Sequence, residues 1–218
     1  MFDLDNTLLA GDSDYLWGQF LVEQGIVNGK YYEQANYAFY QQYQAGTLDI
    51  YEFLAFQLAP FGKHIPSQLE SWRSQYLEEK IRPIILPKAQ ELLTSHRSQG
   101  HTLLIITATN HFITKPIAEM LQVENLIATE PEIRDGRYTG RVSGLPSYRE
   151  GKVIRLKAWL EERALTLEGV SWFYSDSHND IPLLEQVTHP VAVDPDDKLD
   201  AHARANGWTI ISLREKPG

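Results

Sequence analysis

Cysteine is missing from all 218 residues. That excludes disulfides and thiol catalysis without identifying a compartment. Long apolar runs are missing too. None approaches the ~20 residues of a membrane-spanning helix, so no membrane partner is expected. Positive charge is in short supply: 20 Lys and Arg face 29 Asp and Glu, for a net charge of −9. Phosphate backbones select basic surfaces, so nucleic acid is not an expected partner either. A small phosphorylated metabolite remains compatible, because it needs only a local positive site. No basic segment followed by an apolar one opens the chain, so no signal peptide is expected and a cytoplasmic enzyme is the default. Several catalytic signatures also fail. There is no Gly-x-Ser-x-Gly elbow. Glu150-Gly151-Lys152 is no P-loop, since Pro146 stands where the earlier glycine belongs and Val153 where Ser or Thr should follow. The stretch from Asp3 to Asp14 is no calcium loop, since its sixth residue is Leu8 and its twelfth Asp14. The histidines show no metal-ligand spacing.

What remains is ordinary globular material, 43% hydrophobic and 22% charged. It suffices for one large domain or a core with an insertion. From Ser13 to Ile81 apolar residues recur at three and four positions, as in amphipathic helices. The helical stretches run from Tyr15, Tyr31, Tyr51 and Leu69, and turn signals at 25–29, 46–47 and 60–66 separate them. Arg82 to Pro87 reads as a hinge. Beyond it helices and strands alternate. Thr102–Ile106 is a continuously apolar strand ending at Thr107. Leu126–Thr129, Val170–Tyr174, Pro190–Val193 and Trp208–Ile211 read as further strands. Helices are expected over 89–97, 113–121, 152–163, 181–186 and 198–205, and a hairpin turn at Asp135-Gly136. This alternation implies an α/β fold with a doubly wound parallel sheet. Sites in such sheets lie at the carboxyl ends of strands. Those ends fall at Asp3, Thr107, Asp176 and Asp194. Only Met1 and Phe2 precede Asp3, against ~5–6 residues in a usual strand; the first strand is therefore expected to be clipped or to begin upstream.

Three of those four ends carry residues suited to phosphoryl transfer. In Asp3-Leu4-Asp5-Asn6-Thr7, Asp3 is the candidate nucleophile, because a carboxylate can attack phosphorus and divide one hard hydrolysis into two steps. It is also a hard oxygen ligand for Mg²⁺. Asp5 is the candidate general acid and base, with its carbonyl a further metal ligand. Thr107 and the amides of Ala108, Thr109 and Asn110 suit phosphate oxygens at the N-terminus of the next helix. Lys152, at the start of a helix, offers a point charge to phosphate and to the nucleophile. Asp176 would complete the Mg²⁺ shell, and Asp180 would bind metal-bound water or orient Lys152. Singly, each has a plain structural explanation: a solvated turn, a strand-end hydroxyl, a surface lysine, a helix cap. Their order and their positions at strand ends favour the joint reading.

With these residues in place, the chain resembles the haloacid dehalogenase superfamily. Motif one is Asp3-Leu4-Asp5-Asn6-Thr7, motif two Thr107, motif three Lys152, and motif four Asp176-Ser177-His178-Asn179-Asp180. The placement of a helical segment between motifs one and two is similar to the phosphoserine-phosphatase-like branch, as is Asn179-Asp180 before Ile181-Pro182-Leu183-Leu184. The resemblance implies a Rossmann-like core of residues 1–12 and 85–218, an inserted all-helical cap of residues 13–84, Mg²⁺, and an aspartyl-phosphate intermediate. It places Asp12, Thr107, Ala108, Asn110, Lys152 and Asn179 in the substrate site. Asp12, with Asp14 beside it, falls where that branch carries a Glu that holds the substrate's ammonium. Ala108-Thr109-Asn110-His111-Phe112 departs from the two glycines and Phe that follow motif two there. Asp5 favours a phosphatase or phosphotransferase over a dehalogenase, whose halide leaving group needs no proton. Tyr15, Trp17 and Phe20 either hold a ring, as in histidinol phosphate, or form the core of the cap. The expected substrate is a small phosphorylated amino compound, histidinol phosphate ahead of phosphoserine. A phosphotransferase or phosphomutase, and a non-catalytic phospholigand-binding protein, are the alternatives. Oligomeric state is left open.

Overall fold

A computed structural model describes residues 1–214. In chain order the helices are α1 (Ser13–Glu23), α2 (Gly29–Ala45), α3 (Ile50–Leu58), α4 (Pro66–Tyr76), α5 (Pro87–Ser98), α6 (His111–Met120), α7 (Glu150–Glu161), α8 (Ile181–Leu184) and α9 (Asp197–Asn206). The strands are β1 (Leu104–Asn110), β2 (Asn125–Arg134), β3 (Arg137–Ser143), β4 (Trp172–Ser175), β5 (His189–Val193) and β6 (Thr209–Ile211). Every described element between Ser13 and Ile84 is helical.

One residue joins the two halves of the central sheet. Phe2 makes parallel bridges to Ile105 on one side and to Tyr174 on the other. Its amide donates to the Leu104 carbonyl at 2.9 Å, and its carbonyl accepts from Ile106 N at 2.8 Å. β1 then pairs in parallel with β2, and β4 with β5 and β5 with β6. The chain therefore enters at the middle of the sheet and winds outwards to both sides. Asp3 follows Phe2 at the point where strand order reverses, the crevice that α/β sheets use for ligands.

The alternation of side chains across the strands separates two cores. Phe2, Ile105, Tyr174, Val191 and Val193 pack with Ala89 and Leu93 of α5 and with Ile113 and Ile117 of α6. Leu104, Ile106, Phe173 and Ala192 pack with Leu156 of α7, Leu183 and Leu184 of α8, and Leu199 and Ala203 of α9. With both faces covered, the regularly paired stretches of the central strands are mainly apolar, as in parallel sheets. The α/β, Rossmann-like doubly wound sheet is the observed architecture.

Two strands run further than the sequence predicts. β1 does not stop at Thr107. Its pairing with β2 is regular through Ile106, slips, and resumes at Asn110 opposite Thr129. The polar residues of this stretch stay extended because their groups find partners outside the sheet ladder: Thr129 Oγ1 donates to the Ala108 carbonyl at 2.7 Å. β2 continues to Arg134 because its second half leaves the parallel sheet and pairs antiparallel with β3. Asp135 and Gly136 turn this hairpin with φ of 49° and 73°, the left-handed pair that a two-residue hairpin loop demands.

The helical segment is anchored at both ends. Its two connections lie side by side, with Leu9 bridged antiparallel to Ile85. Trp17 and Phe20 of α1 are fully buried, stacked on each other and packed edge-on to Tyr76. Phe112 of α6 and Tyr138 of β3 meet the same cluster through Phe61. At the far end, α2 stops at Gly46, whose φ of 75° suits a residue without Cβ. The exposed carbonyls there are held from the core: Tyr43 by Asn179 Nδ2 at 3.1 Å, Ala45 by Lys198 Nζ at 2.8 Å, and Gly46 by Arg149. Cations at a helix C-terminus also complement its dipole.

Candidate active site

The first motif ends its extended run at once. Asn6 takes a left-handed φ of 56°. Leu8 N and Leu9 N both return to the Leu4 carbonyl, at 2.9 and 3.1 Å. This tight turn separates two carboxylates that simple strand alternation would leave side by side. Asp3 faces Lys152, with Nζ–Oδ1 at 2.7 Å. Asp5 turns to the other wall, where Ser13 N donates to Oδ1 at 2.6 Å and Thr109 Oγ1 to Oδ2 at 2.9 Å. Thr107 Oγ1 is 3.4 Å from the same oxygen.

Lys152 is buried, with 2% of its surface exposed. Gly151 before it permits this depth, since a Cβ there would collide with the Pro146 carbonyl. The ammonium donates to Asp3 and, at 2.8 Å, to Asp180. Ser175 Oγ at the end of β4 fixes Asp180 at 2.7 Å. Burial opposes the charge on Lys152, but Asp180 and Asp3 together hold its pKa above the usual lysine value. Asp176 is tied to motif one by a reciprocal pair with Thr7: Thr7 Oγ1 donates to its Oδ1 and receives its amide, both at 3.1 Å.

One lysine among four carboxylates leaves an excess of negative charge. Burial pushes the pKa of Asp3 upward, with Asp180 and Asp5 adding to it and Lys152 opposing. Burial, Asp3 and Asp180 push Asp176 well above the carboxylate range. Among the described residues, no three carboxylates or imidazoles yet converge as a formed metal centre. The donor set nevertheless fits a hard divalent cation. It is all oxygen, and its unneutralised charge is what such an ion would relieve.

Behind Asp5 lies a small chamber of about 50 Å³, roofed by helices α1 to α3 and floored by Asp12, Asp14, Thr107, Ala108 and Thr109. Tyr15, Phe39, Tyr40, Tyr43, Phe53 and Tyr148 line it. Of the three aromatics near motif one, Tyr15 faces the chamber, whereas Trp17 and Phe20 are core. Asp12 is the N-cap of α1, accepting from Tyr15 N at 2.8 Å. Asp14 is buried and receives Gln57 Nε2 at 3.0 Å and Asn110 Nδ2 at 3.3 Å on one oxygen.

The structure thus gathers Asp3, Lys152, Asp180 and Asp176 at one pole, and Asp5, Thr107, Ala108 and Asp12 along the chamber. The Asn110 side chain serves elsewhere: it caps α6 through Ile113 N at 3.3 Å and holds Asp14. Asn179 faces α2, accepting from Arg149 Nε at 3.0 Å and from the Tyr148 hydroxyl at 3.2 Å. Sequence reasoning named Thr109 for its amide and Asp14 only as the neighbour of Asp12, and it missed the Thr109 hydroxyl, the Ser13 amide, Gln57 and Arg149 as parts of this region. Thr109 was within reach, since it lies two residues after Thr107 in an extended chain and so shares its face. Gln57 meets Asp14 from another helix, and no local pattern marks that.

Burial pushes Asp14 from 3.8 to about 7, with Asp5 adding to the effect and Gln57 opposing it. The folded protein therefore binds this proton more tightly than the unfolded chain does. Stability from this residue should fall as pH rises from about 4 to about 7. The Asp14→Asn variant is expected to gain thermal stability relative to the parent across that window in chelated buffer. A difference in melting temperature that stays constant or reverses would contradict the assignment.

Residues 1–185 match the haloacid dehalogenase-like hydrolase family model. The chain belongs to that family. It is 43% identical to a histidinol-phosphatase of Neisseria meningitidis serogroup C (strain 8013), over 98% of each chain. It is 30% identical to a phosphoserine phosphatase of Mycobacterium tuberculosis (strain ATCC 25618 / H37Rv), over 98% of this chain and 70% of that one. Within the family it is a phosphatase-type enzyme. A crystal structure of a Bordetella pertussis Tohama I protein of unknown function superposes with a TM-score of 0.92 at 42% identity, covering 98% of this chain and 97% of that one. A phosphoserine phosphatase structure with a phospho-aspartyl intermediate analogue shares the fold at a TM-score of 0.71 and 16% identity, covering 99% of this chain and 92% of that one.

Proposed function

We propose that this protein hydrolyses a small phosphomonoester through an aspartyl-phosphate on Asp3, with Mg²⁺ as cofactor. The supporting observation is the buried Asp3–Lys152–Asp180 triad at the sheet's switch point, with Asp5 held separately on the opposite wall. Residues 1–12 and 85–218, of which 215–218 lie outside the described residues, make up the catalytic core in this reading, and residues 13–84 the cap that closes the chamber.

The chemistry follows from the positions. Asp3 Oδ attacks phosphorus while the ester oxygen departs, so the phosphoryl group moves from the alcohol to the carboxylate. Asp5 supplies the departing oxygen with a proton. Burial raises its pKa, and the bonds from Ser13 and Thr109 oppose that without abolishing it, a direction that suits a proton donor. The ionised Asp5 then takes a proton from water, which attacks the phosphorus of the acyl phosphate. Phosphate leaves and Asp3 is regenerated. Lys152 offsets charge on Asp3 and the phosphoryl oxygens, and Thr107 with the Ala108 amide receives the latter. Asp3, the Asp5 carbonyl and Asp176 would hold Mg²⁺. When bound, it neutralises phosphoryl charge as a Lewis acid.

The preferred substrate is a phosphorylated amino compound, histidinol phosphate ahead of phosphoserine. Both the histidinol-phosphatase relative and the aromatic, acidic chamber support that order. Phosphate release from a panel of histidinol phosphate, phosphoserine and sugar phosphates tests the proposal. Mg²⁺-dependent release, abolished by EDTA and strongest with one amino compound, is the expected result. Transfer of the phosphoryl group to a second substrate, or no release from any compound, would refute it.

A further inference from the structure

Among the described residues, no Lys, Arg or His lines the chamber, and Asp5, Asp12 and Asp14 all do. Each of the last two feels the charge of Asp5. The acids nonetheless differ in what occupies them. Asp12 is engaged as the cap of α1 and is half-buried. Asp14 is 6% exposed and is held from two sides, by Gln57 of α3 and by Asn110 at the end of β1. Both amides donate to Oδ1. Among the described residues, no further amide reaches this carboxylate, and the Thr109 hydroxyl beside it already donates to Asp5. Gln57 has no further capacity, since Nε2 holds Asp14 and Oε1 accepts from the Tyr32 hydroxyl at 3.3 Å.

A second, independent acceptor stands near it. Asn36 is 3% exposed and lines the same chamber. Its amide donates to the Tyr15 carbonyl at 3.0 Å. Among the described residues, no donor reaches its Oδ1. Gly18 makes room for this side chain, because a Cβ there would clash with the Asn36 amide. These carboxylate and amide acceptors belong to buried residues, open on the chamber and stand among aromatic faces, a setting that suits a ligand rich in N–H groups and positive charge.

We propose that Asp14 is the specificity-determining carboxylate of this enzyme: with Asn36, it receives the positively charged nitrogen of the alcohol that leaves from Asp5. This rests on the phosphatase reading above and assigns selection to Asp14 instead of to the helix-capping Asp12. Thr109 holds Asp5 and the next residue, Asn110, holds Asp14. The cation site and the proton donor to the leaving oxygen are thereby fixed by one short stretch of β1. The substrate class that fits is a phosphate ester of a short amino or imidazole alcohol. Esters of uncharged alcohols leave both acceptors unmet.

The test compares kcat/KM for histidinol phosphate, phosphoserine and phenyl phosphate in the parent, Asp14→Asn and Asp12→Asn enzymes. Asn retains the shape of Asp and still caps a helix. In Asp14→Asn the ratio of histidinol phosphate to phenyl phosphate is expected to fall on the order of 10²-fold, with the loss in KM. In Asp12→Asn the ratio should change several-fold at most. Phosphoserine separates the amine from the ring: a fall in its ratio as large as that for histidinol phosphate assigns the contact to the amine. Equal loss for all three esters in Asp14→Asn, or a larger change of ratio in Asp12→Asn, overturns the assignment. Calorimetric titration with histidinol reads the same site without turnover. Binding that Asp14→Asn weakens, in a protein that releases no phosphate, would refute the hydrolase and keep the cation site. Histidinol binding equal in parent and variant would refute the cation site alone.

Discussion

Asp3→Asn is expected to lower phosphate release at least ~10⁴-fold while leaving the fold intact. The size follows from what the residue does. Removing a nucleophile leaves only binding and electrostatic stabilisation, and single losses of this kind cost roughly 10⁴–10⁶-fold. The stability argument points the other way. Asp3 is 3% exposed and its pKa is pushed up, chiefly by burial, because one lysine serves two carboxylates. A neutral amide of the same shape relieves part of that repulsion and can still accept from Lys152. Melting temperature should therefore hold or rise while activity disappears. Near-parental turnover in purified Asp3→Asn would rule out a covalent route through this residue.

Lys152→Met is expected to harm both properties. The substitution keeps the volume of the side chain and removes its charge. It leaves Asp3 and Asp180 facing each other in a buried site from which Lys152 had drawn two bonds of 2.7 and 2.8 Å. Breaking a buried ion pair from one side typically costs about 3–5 kcal/mol. In a chain of this size that lowers the melting temperature by about 10 °C. Turnover should fall by several orders of magnitude, since phosphate then meets uncompensated carboxylates. Scanning calorimetry and phosphate release measure the two effects separately. A variant as stable and as active as the parent would mean that Lys152 is a packing residue only.

The contrast between these variants shows what a sequence can and cannot disclose. Asp3, Asp5, Asp176 and Asp180 were legible because they follow strand ends, which follow from short apolar runs, and Lys152 because it stands at the start of a helix. Thr107 was legible as a hydroxyl but misplaced as the end of its strand, since the polar residues after it remain extended through contacts with Asp5 and Thr129. The helical character of residues 13–84 followed from periodicity. Its internal chemistry did not, because Asp14 meets Gln57 and Asn110 across 43 and 96 residues of chain. Arg149 was hidden for another reason. It sits at φ 50° before α7 and reaches the carbonyl end of α2, a role that residue type and spacing do not encode. Trp17 and Phe20 show the limit of composition: their proximity to motif one was real, yet their rings pack with Tyr76 and do not line the chamber.

The central claim is that Asp3 carries the phosphoryl group between substrate and water. The Asp5→Asn variant should form this intermediate and release it slowly, because the base that activates water is gone. Acid-quenching that variant with Mg²⁺ and histidinol phosphate, followed by peptide mass spectrometry, tests the claim most directly. One added phosphoryl group on the peptide containing Asp3, absent from the double variant with Asp3→Asn, is the result this account predicts. A phosphoryl group on another residue, or turnover by the variant with none trapped at any quench time, would contradict it.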